Sequence, residues 1–96
     1  MATFSVVMPV YGVEKFVAQA IESVLAQEFQ DWQLIIVNDC SPDNSMEICA
    51  RYKDSRIITV EHERNQGLAA ARNSGIRASS GPFVAFLDSD DTWHPA

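Results

Sequence analysis

The sequence predicts an α/β fold, a mostly parallel sheet with helices on both faces, and three observations predict it. Four apolar or β-branched runs of strand length, Phe4–Val10, Leu34–Val37, Arg56–Val60 and Phe83–Leu87, are spread along the chain. Between them lie segments of helical character, clearest where apolar residues recur at the three-and-four spacing of a helix with one buried stripe. Each connection is also long enough for the right-handed crossover that joins parallel neighbours. Strands that are apolar without alternation are those covered on both faces, and the crossover helices supply that cover.

Taken in order, Phe4–Val10 is apolar apart from Ser5 and reads as a buried first strand. Pro9 has no N–H for a ladder and belongs at its end, with Tyr11-Gly12 as the turn that follows. From Glu14 onward, Phe16, Val17, Ala20, Ile21, Val24 and Leu25 share one helical face. Gln27–Gln33 is a polar connection that Phe29 and Trp32 pin to the sheet, and Leu34–Val37 is a second buried strand. Asn38-Asp39-Cys40-Ser41-Pro42-Asp43 then forms a loop of side chains that bond readily to nearby backbone. Within it Ser41 reads as the cap and Pro42 as the first residue of a second helix, running to about Lys53. Arg56–Val60 is a short β-branched strand. After the charged loop Glu61–Gln66, Gly67 opens a third helix whose small residues between Leu68 and Ile76 allow close approach to a neighbouring backbone. Ser79-Ser80-Gly81-Pro82 ends that helix. The last strand, Phe83–Leu87, reads as buried on both faces and runs straight into Asp88-Ser89-Asp90-Asp91.

At 96 residues, with 47% hydrophobic and 21% charged content, residues 1–96 read as a single small globular (sub)domain rather than a disordered chain. Trp93-His94-Pro95-Ala96 follows the acidic cluster with no closing element, so the domain is expected to be truncated at its C-terminus. A net charge of −6 with few, dispersed basic residues excludes a nucleic-acid groove. Cys40 and Cys49 form neither a disulfide framework nor a zinc site, and read as buried or semi-buried free thiols in a reducing compartment. No charged leader precedes an apolar core, and no apolar run approaches the roughly 18 residues of a membrane span. The expectation is a soluble, cytoplasmic piece, with any membrane association left to the full-length protein.

In an open α/β sheet, ligands bind beyond the carboxyl ends of the strands. That rule gathers Pro9, Val10 and Tyr11, then Asp39, then the Glu61–Gly67 loop, then Asp88 to Asp91. If the chain stays extended through Ser89, Asp88 and Asp90 point the same way and their charges repel unless a cation lies between them. Mg²⁺ or Mn²⁺ suits such a hard-oxygen pair. The other reading of the cluster is that Asp90 or Asp91 caps a following helix. Neither GxGxxG nor GxxxxGK[ST] is present, so a phosphate ligand would be held through a metal. His62 and His94 have no partner at zinc spacing and read as incidental, and Trp93 reads as packing.

Four blocks carry a resemblance that covers the whole chain. They are Val7-Met8-Pro9-Val10-Tyr11, Leu34 to Ser45 with its Asn38-Asp39-Cys40-Ser41-Pro42-Asp43 core, Asn65-Gln66-Gly67 with Ala71-Arg72-Asn73-Ser74-Gly75, and Phe86-Leu87-Asp88-Ser89-Asp90-Asp91. In this order they resemble the N-terminal half of family 2 inverting glycosyltransferases. The resemblance implies a Rossmann-like GT-A fold whose first half binds a nucleotide-diphosphate sugar, UDP-linked. Tyr11 would then lie against the base, beside Pro9 and Val10, and Asp39 would accept a hydrogen bond from a uracil N3–H. Arg72 would lie near the nucleotide and diphosphate. Asp88, Ser89 and Asp90 form the DXD motif. Asp88, Asp90 and Asp91 would serve the metal, Mn²⁺ or Mg²⁺, and the ribose-diphosphate, with Asp90 the first choice as direct ligand. Cys40 stands where many members have Gly.

The resemblance also implies what is missing. Inverting transfer needs a base to deprotonate the acceptor hydroxyl, and in the family it lies well past the metal motif, so these residues contain no catalytic base and are expected to be inactive alone. The acceptor would be a growing glycan or a lipid-linked glycan, as in bacterial surface-polysaccharide synthesis. Two other readings are a receiver-like signalling domain, which would need an acidic pair after the first strand, and a non-catalytic module that assembles into a homo-oligomer through a sheet edge.

Overall fold

Side-chain alternation decides which helix covers which face. The computed structural model describes residues 4–28, 30–79 and 83–88. Its elements run β1 (Phe4–Val10), α1 (Val17–Leu25), β2 (Trp32–Asn38), α2 (Ser45–Cys49), β3 (Ile57–Glu61), α3 (Leu68–Ala78) and β4 (Phe83–Phe86). All pairings are parallel, in the order β3-β2-β1-β4. Val6, Met8 and Val10 of β1 join Leu34 and Ile36 of β2 on the face that α1 and α2 cover. Val7 of β1 joins Ile35 and Val37 of β2 on the face that Ala71 of α3 covers. The central strands are therefore buried on both sides, as their uninterrupted apolar runs predict.

Helix α1 has no side-chain cap at its start, which forgoes about 1 kcal/mol. Burial outweighs that, because Val17, Ala20, Ile21 and Val24 are wholly inaccessible and each large apolar side chain contributes roughly 1.5–3 kcal/mol. Phe16, expected on this face, is exposed, since the chain is still turning there. On the opposite face, α3 lies directly on β1. A Cβ built on Gly75 would fall inside the Val7 side chain. No helix among the described residues is long and apolar enough to cross a membrane.

Four expectations are corrected. The second helix starts at Ser45 rather than Pro42 and ends at Cys49 rather than Lys53. The Asp43 carboxylate takes both the Ser41 hydroxyl and the Ser45 N–H, which holds the intervening residues in a bend. Trp32 belongs to β2 itself, where it is buried beneath the Arg56 guanidinium, 3.9 Å from the ring centroid. Phe29 lies outside the described residues. Nor is β4 buried on both faces. It is the edge strand, and Phe83, Val84 and Phe86 are exposed while only Leu87 beyond it enters the core. Pro9 lies within β1 rather than at its end, but beyond the stretch Phe4–Val7 that pairs with β4, so no ladder bond to β4 is lost.

Candidate functional site

Because the strands are parallel, their carboxyl ends meet at one edge, and there the structure holds a cavity of about 410 Å³. Pro9, Tyr11, Asp39, Asn65, Gly67 and Asp88 are among its walls, and the volume suits a small-molecule ligand.

Asp39 is buried at this edge, only 3% exposed. Its Oδ1 accepts the Gln66 N–H at 2.8 Å and a hydrogen bond from His62 Nδ1 at 2.8 Å, and its Oδ2 accepts the Gly67 N–H at 3.0 Å. Burial pushes the carboxyl up, but the Gln66 amide, the His62 side chain and the Gly67 amide together hold it below the usual carboxylate range. Asp39 thus bonds not to its own turn but to the loop 27 and 28 residues further on. Gly67 completes that loop at φ 93°, a conformation that favours glycine, and precedes the first turn of α3.

His62 is not incidental. Its side chain is 6% exposed, and its Nε2 lies 2.7 Å from Ser74 Oγ on α3. No motif spacing announced it, because its partners come from the loop after β2 and from α3. The Asn38-to-Asp43 loop has a second function that its composition only hints at. Ser41 Oγ accepts the Gly12 N–H, Ser45 Oγ accepts the Val13 N–H, and Asp43 Oδ2 accepts the Glu14 N–H, at 2.9, 3.0 and 3.1 Å. These bonds tie down the loop that presents Tyr11, which is 51% exposed at the cavity wall. Burial raises the Asp43 carboxyl, but the hydroxyls of Ser45 and Ser41 and the amides of Ser45 and Glu14 hold it well below the usual range.

The remaining expected residues separate. Val10 does not line the cavity: its side chain is in the α1 core, by the same alternation that buries Val6 and Met8, and its carbonyl accepts the Asp39 N–H at 3.1 Å. Arg72 stands back from the cavity, with its guanidinium 5.6 Å from the Phe86 ring centroid and Nη2 3.4 Å from Asp88 Oδ1. Its Nε is buried and has no partner among the described residues. Cys40, expected to be at least partly buried, is exposed, and Cys49 is buried. Ser89, Asp90, Asp91, Trp93 and His94 lie outside the described residues. Among the described residues, no group of three or more His, Cys, Asp or Glu converges on a metal position.

A parallel sheet with helices on both faces and a cleft walled by Asp39 and Asp88 at the strand ends defines an α/β domain whose ligand-sized cleft lies where open parallel sheets bind their ligands. Comparison with known proteins is more specific. The chain belongs to glycosyl transferase family 2, whose profile matches residues 5–96. It is 42% identical over 89 residues to the UDP-Glc:alpha-D-GlcNAc-diphosphoundecaprenol beta-1,3-glucosyltransferase WfgD of Escherichia coli, covering 93% of this chain and 35% of that protein. It is 43% identical over 91 residues to the putative teichuronic acid biosynthesis glycosyltransferase TuaG of Bacillus subtilis, covering 93% and 36%. The crystal structure of S. aureus TarS 1-349 in complex with UDP-GlcNAc superposes with a TM-score of 0.89 at 32% identity, covering 96% of this chain and 27% of that one. A mannosyltransferase from Pyrobaculum calidifontis, solved with GDP-Man and Mn²⁺, shares the fold with a TM-score of 0.90 at 23% identity, covering 98% and 29%. The fold is thus the Rossmann-like first part of a GT-A transferase, and the chain spans about a quarter to a third of the length of these four proteins. Family membership replaces the receiver-like reading, and β1 ends in Pro9-Val10 rather than an acidic pair.

Proposed function

We propose that residues 1–96 are the donor-binding part of a metal-dependent inverting glycosyltransferase. The full protein transfers a sugar from a UDP-linked donor to a hydroxyl of a growing or lipid-linked glycan, and this part alone is inactive. The observation that carries the reading is Asp39, an ionised carboxylate fixed at the wall of a ligand-sized cavity in a family whose relatives use nucleotide sugars. In this reading Tyr11 lies against the base, Asp39 receives the base N–H, and Pro9 and Gly67 shape the cleft.

Asp88 fits a hard divalent cation. Its side chain is 56% exposed at the cavity wall, and among the described residues only the 3.4 Å approach of Arg72 engages it. Asp90 and Asp91 would complete the set, with Asp90 as the first ligand. Mn²⁺ or Mg²⁺ bound there would supply Lewis-acid stabilisation of the departing diphosphate. Arg72 adds a positive charge on the same side. The same proposal includes self-association through the exposed β4 edge, where Phe4 and Phe83 stack with centroids 5.4 Å apart. Light scattering over a concentration series checks it, and a monomer throughout counts against it.

Amide spectra recorded during UDP addition with Mg²⁺ test the cleft assignment. Shifts at Tyr11, Gln66 and Gly67 that vanish in Asp39→Asn are expected, and shifts confined to other faces of the sheet contradict it.

A further inference from the structure

Asp39 offers the cavity a single acceptor position, and its geometry is set from behind. A carboxylate accepts about four hydrogen bonds, and among the described residues His62, Gln66 and Gly67 fill three, two of them on Oδ1. The open position is on Oδ2. The ionised carboxylate can only accept, so His62 carries its proton on Nδ1. The arrangement in which every group is matched then runs in one direction. Arg77 Nη2 donates to Ser74 Oγ at 3.1 Å, Ser74 donates to His62 Nε2, and His62 donates to Asp39. Both middle members of this relay are anchored. The His62 backbone N–H bonds to the Asn38 carbonyl at 2.9 Å at the end of β2, and Ser74 immediately precedes Gly75, whose contact with Val7 seats α3 on β1. His62 itself borders a separate polar cavity, away from the Asp39 cleft, and has no part in its wall.

We propose that His62, held by Ser74, is a positioning residue that aims Asp39 Oδ2 at the donor's base, so that discrimination for a base carrying an N3–H depends on it. The inference rests on the reading of Asp39 as the group that receives that N–H. It predicts an effect on base selectivity rather than on nucleotide binding in general, since His62 reaches the ligand only through Asp39.

The test compares UDP with N3-methyl-UDP by titration of the 96-residue chain, its His62→Ala variant and its His62→Asn variant, with amide spectra confirming that each is folded. The wild type should prefer UDP by about tenfold, the size of one hydrogen bond to a charged acceptor. His62→Ala should bring that ratio close to one while N3-methyl-UDP binding stays within about twofold of wild type. His62→Asn, whose amide nitrogen can replace Nδ1–H as donor, should restore most of the preference. A wild-type ratio retained in His62→Ala overturns the positioning role and leaves the Asp39 reading standing. Equal weakening of both ligands in His62→Ala overturns it as well, since that marks a general structural effect. A ratio of one in the wild type removes the Asp39–base contact itself, and this inference with it.

Discussion

Gly75 of α3 lies against Val7 of β1 so closely that the helix and strand meet with only hydrogen on the helix side of the contact. Ala is intrinsically the better helix former by about 1 kcal/mol, so exposed glycines in helices are usually improved by that change. Here overpacking costs about 1–3 kcal/mol or more and wins, because Val7 is fully buried between β2 and β4 and has nowhere to move. Gly75→Ala should lower the denaturant midpoint. A midpoint at or above wild type would show that α3 is not seated as described.

The Asp43 carboxylate joins two loops, and its ionisation should be visible in stability. Its pKa is depressed on folding, as are those of Asp39 and Asp54, the last held at about 2 mainly by hydrogen bonds from Arg56. A depressed carboxyl contributes stability that is complete above the unfolded value of about 4 and is lost as pH falls through the folded value. Stability should therefore be level above pH of about 4 and fall steadily toward pH of about 2. Asp43→Asn should cost about 1–3 kcal/mol near neutral pH, since its amide faces the Glu14 N–H donor to donor, and should flatten the acid slope. Urea unfolding at several pH values checks both, and an unchanged slope in the variant would contradict the assignment.

Cys40 is the only described non-glycine residue with positive φ, at 59°. That conformation costs a side-chain-bearing residue roughly 1–2 kcal/mol, while glycine adds about 0.5–1 kcal/mol of unfolded-state entropy. Cys40→Gly should leave stability unchanged or raise it by up to about 1 kcal/mol in thermal unfolding. A clear loss would mean that the exposed thiol makes a stabilising contact.

Strand and helix order was legible because apolar runs and apolar periodicity report burial directly. What the runs do not report is how many neighbours a strand has. Phe83–Phe86 reads as apolar as Val6–Val10, yet one is an edge and the other a centre. The length of α2 was hidden by a local competition, the Asp43 side chain against a helical turn at Pro42. At the site, Asp39 and Tyr11 were legible from their place after strands, and alternation from Val6 and Met8 would have put Val10 in the core. His62 was not legible, since its two partners are 23 residues before it and 12 after it and meet it only once the sheet has formed.

The most direct test of the central claim is calorimetric titration of UDP into the 96-residue chain with and without Mn²⁺, beside an Asp90→Ala variant. Binding should strengthen with Mn²⁺ and lose that dependence in the variant. UDP binding indifferent to the cation, or equally cation-dependent in Asp90→Ala, would contradict a donor site built on Asp90 at the carboxyl edge of this sheet.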